Sequence, residues 1–273
     1  MRMIWYAAAL AGAYGLLVAG LYAGQRSLMY HPSGLTPPPA LSGLAEMRAV
    51  SVPAADGFSL YGWWAPAERP GAPTVLYFHG NAGSLADRAG RARFYLDQGW
   101  GVLMTTYRYN AGLGGDPSEA ALTADGRAVS RWLETARGVP PERTLLYGES
   151  LGSGIVSTLA AEGRGAAVVI DGGFDSMAAV AQRAYPYVPA YWLVKDRWDN
   201  AAQLARAAGV AKLIAHGAAD RIVPPRHARA LAEASAAPVK LEVLEGGGHS
   251  DLYEHGLADL MVDFVAETFG DEG

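Results

Sequence analysis

The chain opens with its longest uncharged segment and continues as short apolar runs separated by amphipathic stretches. Residues 3–25 carry no charge, and Trp5, Tyr6 and Tyr22 lie near the ends of this segment. A helix needs about 20 apolar residues to cross the ~30 Å hydrocarbon core of a bilayer, and aromatic side chains favour its two interfaces. This length disfavours a buried core helix. We therefore expect residues 1–26 to form an N-terminal transmembrane helix that anchors the protein.

A cleaved secretory signal peptide is the alternative for this segment. Its apolar core is normally about 7 to 15 residues long and ends at a small-residue site, and Val18-Ala19-Gly20 would supply one. Cleavage would make the protein secreted. If the segment is retained, Arg2 and the α-amino group slightly exceed the positive charge just after it, which favours a cytoplasmic N-terminus. The rest of the chain would then lie on the periplasmic or extracellular side.

Residues 27–273 follow a proline-rich connector and are expected to form one domain of alternating strands and helices. Two strand-like runs, 46–52 and 58–65, flank an Ala-Asp-Gly turn and predict a starting hairpin. Short apolar runs of the kind buried in parallel sheets follow it. They predict a doubly wound, mostly parallel central sheet with helices on both faces and sites at the carboxyl ends of its strands. The predicted strands are 74–78, 102–106, 144–147, 167–170, 212–215 and 239–244, and the predicted helices end near 98 or span 117–137, 155–160 and 254–269.

The segment 174–200 breaks this alternation and is rich in tyrosine, tryptophan and proline. We call it the insertion. It could form a short aromatic partial cap that lines an apolar substrate pocket, or its aromatic side chains could simply pack it onto the domain. Both interpretations remain open. The candidate substrate-binding residues are Phe174, Tyr185 and Trp192 of the insertion, together with Tyr109 in an earlier loop that is expected to border the pocket.

Composition excludes several classes of function. The chain is 51% hydrophobic, has a formal charge of -5 and has no dense Lys/Arg cluster, so a nucleic-acid surface is not expected. The absence of cysteine excludes disulfides, thiol nucleophiles and cysteine-based zinc sites. No group of His, Asp and Glu has metal-ligand spacing, because His216, Asp220 and His227 are each explained by their place in a loop or helix. We expect neither a metal nor a cofactor.

The strongest chemical signal is Gly148-Glu149-Ser150-Leu151-Gly152, between an apolar strand and a helix rich in small residues. In that setting Gly-x-Ser-x-Gly predicts a nucleophile elbow, a tight turn that exposes the serine hydroxyl. The same turn directs the backbone N–H of Leu151 towards an oxyanion formed there. A glycine-rich turn without catalytic function is the alternative, so the elbow needs a base and an acid elsewhere.

Both groups occur downstream in the order Ser, Asp, His. His249 directly follows the last predicted strand in a glycine-rich loop, and Asp220 follows the preceding one. Asp251 and Asp199 are rival acids, although Asp251 is very near His249 in sequence and Asp199 belongs to the insertion. A second oxyanion donor is expected in the loop after the strand 74–78, namely the N–H of Asn81. His79 in the same loop is expected to hold the loop rather than to react.

Six motifs in this order resemble the α/β-hydrolase superfamily, and more narrowly its membrane-anchored serine-hydrolase branch related to depalmitoylases and lysophospholipases. The segment Gln25-Arg26-Ser27-Leu28-Met29-Tyr30-His31-Pro32 after the anchor also resembles bacterial members of this branch. The motifs are His79-Gly80-Asn81-Ala82-Gly83-Ser84, Tyr107-Arg108, Pro117-Ser118-Glu119, the elbow, His216-Gly217-x-x-Asp220-x-x-Val223-Pro224 and Gly248-His249-Ser250-Asp251.

The resemblance implies the α/β-hydrolase fold, a triad of Ser150, Asp220 and His249, no cofactor, and ester or thioester substrates with an apolar acyl part. One departure concerns substrate shape: the branch usually continues Tyr-Arg with Gly-Tyr-Gly, whereas Tyr109-Asn110-Ala111 follows here. We expect a monomeric, membrane-anchored hydrolase of small or lipid-like esters. A serine peptidase of the same fold and a non-catalytic binding protein are the alternatives. A dehalogenase or epoxide hydrolase would carry aspartate at position 150.

Overall fold

The computed structural model describes residues 1–270 and contains one sheet of eight strands. The strands are β1 (Arg48–Pro53), β2 (Ser59–Ala65), β3 (Thr74–Phe78), β4 (Gly101–Thr105), β5 (Thr144–Glu149), β6 (Ala167–Asp171), β7 (Ala211–Gly217) and β8 (Val239–Leu244). The order across the sheet is β1-β2-β4-β3-β5-β6-β7-β8. The first two strands form the expected hairpin and β2 pairs antiparallel with β4, whereas all later neighbours are parallel. The mostly parallel α/β sheet is thus confirmed.

Helices cover both faces of this sheet, because side chains alternate between the faces along each strand. The helices are α1 (Arg2–Met29), α2 (Ala89–Asp97), α3 (Glu119–Arg137), α4 (Gly152–Ala161), α5 (Met177–Ala184), α6 (Ala190–Leu193), α7 (Asn200–Arg206), α8 (Arg226–Ala234) and α9 (Leu257–Phe269). Leu76 and Phe78 of β3 join a buried apolar layer with α3, α4, α7 and α8, while Val75 and Tyr77 join a second layer with α2 and α9.

Two helices begin a few residues later than expected, at positions that local groups determine. Helix α3 begins at Glu119, because the Ser118 hydroxyl accepts a hydrogen bond from the N–H of Ala121 and so satisfies a free donor of the first turn. The last helix begins at Leu257, because Gly256 adopts a left-handed conformation (φ 102°) that ends a preceding 3₁₀ turn at Leu252–His255. Helices α7 and α8 lie in stretches where the sequence pattern predicted none.

Helix α1 is the longest element and projects from the domain. It is long and apolar enough to cross a membrane, and none of its residues is buried. At about 1.5 Å per residue it extends about 42 Å, and it ends at Met29 rather than at the expected boundary near residue 26. Its second half lies against the insertion, which folds into α5 and α6 followed by an extended stretch. The indole of Trp198 in that stretch is buried against Gly154 of α4.

Candidate active site

Ser150 lies at the turn between β5 and α4, and its backbone is in the left-handed region with φ 48°. Such a conformation costs a non-glycine residue about 1–3 kcal/mol and persists where the surroundings enforce it. Here the N–H of Ser150 donates to the carbonyl oxygen of Asp171 at 2.8 Å. The turn places the hydroxyl at the carboxyl edge of the sheet and beside the first turn of α4.

The two glycines of the motif are required by close packing. A β-carbon on Gly152 would lie 2.1 Å from the carbonyl oxygen of Phe78, and one on Gly148 would lie 2.5 Å from a methyl group of Val156 and 2.7 Å from the carbonyl oxygen of Gly152. Helix α4 therefore approaches β3 and β5 more closely than any side chain at these positions would permit. The elbow motif is a steric requirement of this approach.

The structure brings His249 and Asp220 to Ser150 from the loops after β8 and β7. The Nε2 atom of His249 lies 2.9 Å from the Oγ atom of Ser150, and its Nδ1 atom lies 2.7 Å from Oδ2 of Asp220. The other carboxylate oxygen, Oδ1, accepts hydrogen bonds at 2.9 Å from the N–H groups of Ile222 and Val223. The carboxylate is thereby fixed towards the imidazole, and the three side chains form one hydrogen-bonded row.

The two rival acids are engaged elsewhere. Asp251 accepts a hydrogen bond from the N–H of Gly248 at 2.6 Å and so shapes the loop that carries His249. Asp199 accepts one from the N–H of Ala202 at 3.1 Å and caps helix α7. Within residues 1–270, neither carboxylate forms a hydrogen bond or an ion pair with the His249 ring, whereas the carboxylate of Asp220 does.

The charges of this row favour a proton on His249. Burial raises the pKa of Asp220. Hydrogen bonds from His216 and His249 and the positive charge of His249 lower it by more than burial raises it, so the net pKa lies well below the usual range. For His249, burial lowers the pKa, whereas the hydrogen bond to Asp220 and the nearby negative charges raise it, and the net pKa is above its ordinary value. The imidazole is therefore a stronger base than a free histidine, supported by a carboxylate that stays ionised.

Asn81 and Leu151, the two residues expected to supply oxyanion donors, both lie beside Ser150 in the lining of one cavity. Across residues 1–270 the backbone N–H of neither residue donates to another protein group. The side chain of Asn81 holds its loop in place, since Nδ2 donates to the carbonyl oxygen of Met29 at 2.5 Å and Oδ1 accepts from Tyr109 at 3.0 Å. The loop after β3 is thereby tied to the end of α1.

His79 is buried in that same loop. Its Nδ1 atom contacts the carbonyl oxygen of Gly80 at 2.5 Å, and its own carbonyl oxygen accepts a hydrogen bond from Tyr107. Burial, together with the positive charge of Arg88, lowers the pKa of His79 to about 4. The ring is about 4.5 Å from that of Tyr107. These contacts agree with the expected role of His79 in holding the loop.

Behind the elbow lies a buried charge cluster that sequence reasoning missed, consisting of Glu149, Asp171, Arg88 and Arg91. Arg88 contacts Glu149 at 2.7 Å, and Arg91 contacts Glu149 at 2.9 Å and Asp171 at 3.1 Å. Burial raises the pKa of Glu149, but the two arginines and the Tyr77 hydroxyl lower it to well below the usual range. Two features of the sequence could have indicated this cluster. Glu149 is a charged residue directly before Ser150, and Arg88 and Arg91 are three positions apart, a spacing that places them on one face of a helical turn.

Ser150 and His249 open into a cavity of about 570 Å³ with predominantly apolar walls. Of the four candidate pocket residues, Phe174 and Tyr185 line it. Tyr109 lies outside the lining because it is buried against Tyr107 and donates to Asn81. Trp192 also lies outside, because its side chain points to the exterior beside α1 and is 78% exposed. Helix α1 contributes an entire wall, which the sequence pattern did not indicate.

No group of three or more His, Cys, Asp or Glu residues within 1–270 is arranged to hold a metal ion. His216 instead contacts the carbonyl oxygen of Val223 at 2.6 Å and Asp220 at 3.2 Å. His227 contacts Asp175 at 2.6 Å. These contacts give each histidine a place in the packing around the site.

Similar proteins share this architecture. No family model matches the chain. An uncharacterised protein of Mycobacterium tuberculosis (strain CDC 1551 / Oshkosh) is 36% identical over 256 residues, which cover 92% of this chain and 91% of the relative. Alpha/beta hydrolase domain-containing protein 17B of Xenopus laevis is 31% identical over 199 residues, covering 71% of this chain and 66% of that protein.

Among solved structures, the esterase Pf2001 of Pyrococcus furiosus superposes with a TM-score of 0.72. The match covers 88% of this chain and 99% of the esterase. At 18% sequence identity this similarity shows a shared fold.

Proposed function

Because the chain belongs to the α/β-hydrolase superfamily, we propose that it is a serine hydrolase that cleaves carboxylic esters or thioesters with an apolar acyl group. The observation that carries the proposal is the hydrogen-bonded row from Ser150 through His249 to Asp220, which opens into a mostly apolar cavity. A serine hydroxyl is a weak nucleophile until an adjacent base accepts its proton. The 2.9 Å separation of Nε2 and Oγ is suited to that transfer.

In the first half of the proposed reaction, the Oγ atom of Ser150 forms a bond to the substrate carbonyl carbon while its proton moves to Nε2 of His249. The carbonyl oxygen becomes an oxyanion, which the N–H groups of Asn81 and Leu151 stabilise. Each such donor is worth about 10²- to 10³-fold in rate. As the carbon–oxygen or carbon–sulfur bond breaks, His249 returns the proton to the leaving alcohol or thiol. An acyl group then remains on Ser150.

In the second half, water attacks the acyl-enzyme and His249 accepts a proton from it. The tetrahedral intermediate expels Ser150 Oγ, which regains the proton, and the carboxylic acid leaves. Asp220 keeps the imidazole in the required tautomer and stabilises its cationic form in both halves. The raised pKa of His249 supports this role as general base.

The shape and chemistry of the cavity support an apolar acyl group. Its volume of about 570 Å³ lies within the ~300–1,000 Å³ typical of small-molecule sites. The charged lining residues Arg88 and Glu149 pair with each other. The other two lining residues whose side chains can be charged near neutral pH are His31 and His249. An extended hydrocarbon chain would therefore meet a surface of its own polarity.

We further propose that α1 stays attached as a single-pass anchor, with its N-terminus in the cytoplasm and the hydrolase domain on the outer side of the membrane. The length and apolar character of Arg2–Met29 support the anchor. The hydrogen bond from the Tyr14 hydroxyl to the carbonyl oxygen of Tyr187 also supports it, because cleavage after Gly20 would remove this contact.

Labelling with a fluorophosphonate probe tests the proposal on the full chain in detergent micelles. We expect labelling of the wild-type protein, complete loss in Ser150→Ala, and retention in the matched control Ser157→Ala. Ser157 lies in α4, the helix that follows the elbow, and is buried. Labelling that persists in Ser150→Ala would refute the assignment. Matched ester, thioester and amide substrates then identify the bond cleaved, and faster amide turnover would favour a peptidase.

A further inference from the structure

Helix α1 forms one wall of the cavity that contains Ser150. Its lining side chains recur along one face over about three turns, and His31, two residues beyond the helix, also lines the cavity. The opposite wall is formed by helix α5 and the residues around α6. The lining residues of this helix are Val18, Leu21, Tyr22, Gln25, Leu28 and Met29. A helix that only tethered the domain would not need to contribute to its pocket.

Polar contacts hold α1 against the insertion. The amide of Gln25 accepts a hydrogen bond from the N–H of Lys195 at 2.6 Å, and the Lys195 ammonium lies 4.3 Å from the centre of the Tyr22 ring. Nearer the N-terminus of the helix, the Tyr14 hydroxyl donates to the carbonyl oxygen of Tyr187 at 2.9 Å. The two walls are therefore joined both at the end of α1 and near its middle.

The position of these contacts along α1 determines their depth in a membrane. Starting at Met3, the roughly 20 residues needed to span the hydrocarbon core end near Tyr22. Tyr14 lies eight residues before Tyr22, so its contact with the insertion is about 12 Å deeper in the hydrocarbon core than Tyr22. Residues 3–13 alone would extend only about 16 Å, half the thickness of the core. If α1 spans the bilayer, the part of the insertion around Tyr187 enters the adjacent leaflet.

The exposed surface of the insertion suits that environment. Tyr187 and Trp192 are 89% and 78% exposed, respectively. Trp192 is close in sequence to Lys195, and tryptophan favours the membrane interface, where an apolar ring and a polar group are both accommodated. Lys195 places its charge over Tyr22, at the end of α1 that leaves the hydrocarbon core.

We propose that the cavity between α1 and the insertion opens into the leaflet and receives the acyl chain of a membrane-resident lipid ester directly from it. The inference rests on the proposed hydrolase function and names its substrate class. The acyl chain would pass from lipid to an apolar wall without crossing water, while the ester group reaches Ser150 at the carboxyl edge of the sheet. In this arrangement Leu21 of α1 limits how much acyl chain the cavity accepts.

A substitution that narrows the cavity tests this role of α1. Leu21→Trp adds volume to the wall, and the matched control Leu16→Trp places the same side chain on an exposed part of α1 that does not line the cavity. The full chain is assayed in phosphatidylcholine vesicles with p-nitrophenyl dodecanoate and p-nitrophenyl acetate. We expect Leu21→Trp to lower kcat/KM for the dodecanoate at least about tenfold, because hydrophobic pockets discriminate by about 10- to 200-fold per methylene.

The ratio of kcat/KM for the dodecanoate to that for the acetate should therefore fall in Leu21→Trp, whereas Leu16→Trp should match the wild type on both esters. An unchanged preference for dodecanoate over acetate in Leu21→Trp would overturn the inference while leaving the proposed function intact. If Ser150→Ala retained the wild-type turnover of the acetate, the proposed function itself would fail. The two failures are therefore distinguishable.

The depth of the insertion is tested independently of turnover. The chain has no cysteine, so a single introduced cysteine can carry an environment-sensitive fluorophore. We expect the label at Tyr187→Cys to be quenched by doxyl-labelled phosphatidylcholine in the vesicles, and the label at the exposed control position Glu134→Cys on α3 to be unaffected. Equal, weak quenching at both positions would show that the insertion stays outside the leaflet and would overturn the proposal.

Discussion

Arg26, in the last turn of α1, forms a two-point salt bridge with Asp196 of the insertion, with nitrogen–oxygen distances of 2.8 and 3.0 Å. Asp196 is buried, and its Oδ1 atom also accepts a hydrogen bond from the N–H of Glu119 at the start of α3. One carboxylate therefore joins the N-terminal helix, the insertion and the first turn of α3. This junction fixes the direction in which α1 leaves the domain.

We expect the Arg26–Asp196 pair to stabilise the fold. A double-mutant cycle with Arg26→Ala and Asp196→Asn should give a coupling free energy of about 1 kcal/mol, since the geometry is bidentate and one partner is buried. The measurement is urea unfolding of the full chain in micelles. The exposed pair Arg127 and Glu162 serves as a control, with an expected coupling below about 0.5 kcal/mol. Equal coupling in both cycles would contradict the prediction.

We expect the pH dependence of turnover to report the ionisation of His249. The neutral imidazole accepts the serine proton, so kcat/KM should fall as the pH drops through the pKa of His249. Because that pKa is raised, the midpoint should lie above the ordinary value of 6.5. In Asp220→Asn the midpoint should move to lower pH, because the stabilising carboxylate is gone, and the plateau should fall by about 10⁴-fold. The measurement is a pH profile of ester hydrolysis.

Asp251→Asn is the matched control for that profile. Asp251 contacts the loop backbone rather than the His249 ring, so its substitution should leave the midpoint of the profile in place. If Asp251→Asn moved the midpoint and Asp220→Asn did not, Asp251 would be the acid of the row.

We expect alanine at Gly152 to be poorly tolerated. Its β-carbon would overlap the carbonyl oxygen of Phe78, so β3 and α4 would have to separate. The free energy of unfolding should fall by at least about 3 kcal/mol, or the protein should not accumulate folded. Gly90→Ala is the control, because its β-carbon meets nothing within 4 Å and lies within helix α2, where alanine should stabilise by about 0.5–1 kcal/mol. Wild-type stability of Gly152→Ala would show that the elbow is less tightly packed than described.

We expect His79 to make the fold sensitive to acid. The folded-state pKa of about 4 lies below the ordinary 6.5, so the unfolded chain binds the proton first as the pH falls between these values. The stability contribution of neutral His79 is present above about pH 6.5 and is lost as the pH falls towards 4. Between about pH 7 and pH 4.5 this amounts to about 2–3 kcal/mol.

Comparing unfolding of the wild type with His79→Gln at both pH values isolates that contribution, because the carboxylates titrate in both proteins. His255→Gln provides the control, since this histidine is partly exposed at the surface. The same acid sensitivity in His79→Gln as in the wild type would contradict the prediction.

Much of the fold followed from local pattern. The hairpin, the later strands and helix α3 were predictable because buried parallel strands form continuous apolar runs and helix starts carry capping side chains. Helices α5 to α8 were not located. Within the insertion, α6 is too short to show a periodic pattern. Helices α7 and α8 are rich in alanine, which marks neither face of a helix clearly.

The candidate site was predictable to the extent that its residues follow strand ends. Ser150, Asp220 and His249 each lie just beyond a predicted strand, and parallel strands bring their carboxyl ends to one edge of a sheet. The charge cluster of Glu149 with Arg88 and Arg91 was missed, since it joins side chains from an elbow and a helix that are far apart in sequence. Trp192 was placed in the pocket because it belongs to the aromatic insertion, and Tyr109 because its loop was expected to border the pocket. Neither observation determines the direction of a side chain.

By itself, the sequence determined the α/β sheet, the elbow, the order of the serine, aspartate and histidine, and an N-terminal segment long enough for a membrane. These features depend on spacing and polarity along the chain, which are local properties. Only the tertiary structure decided that α1 lies against the insertion and forms a wall of the cavity beside Ser150. That arrangement depends on contacts between residues more than 150 positions apart, such as Arg26 with Asp196 and Tyr14 with Tyr187. The packing of the whole domain determines them, and no local pattern encodes them.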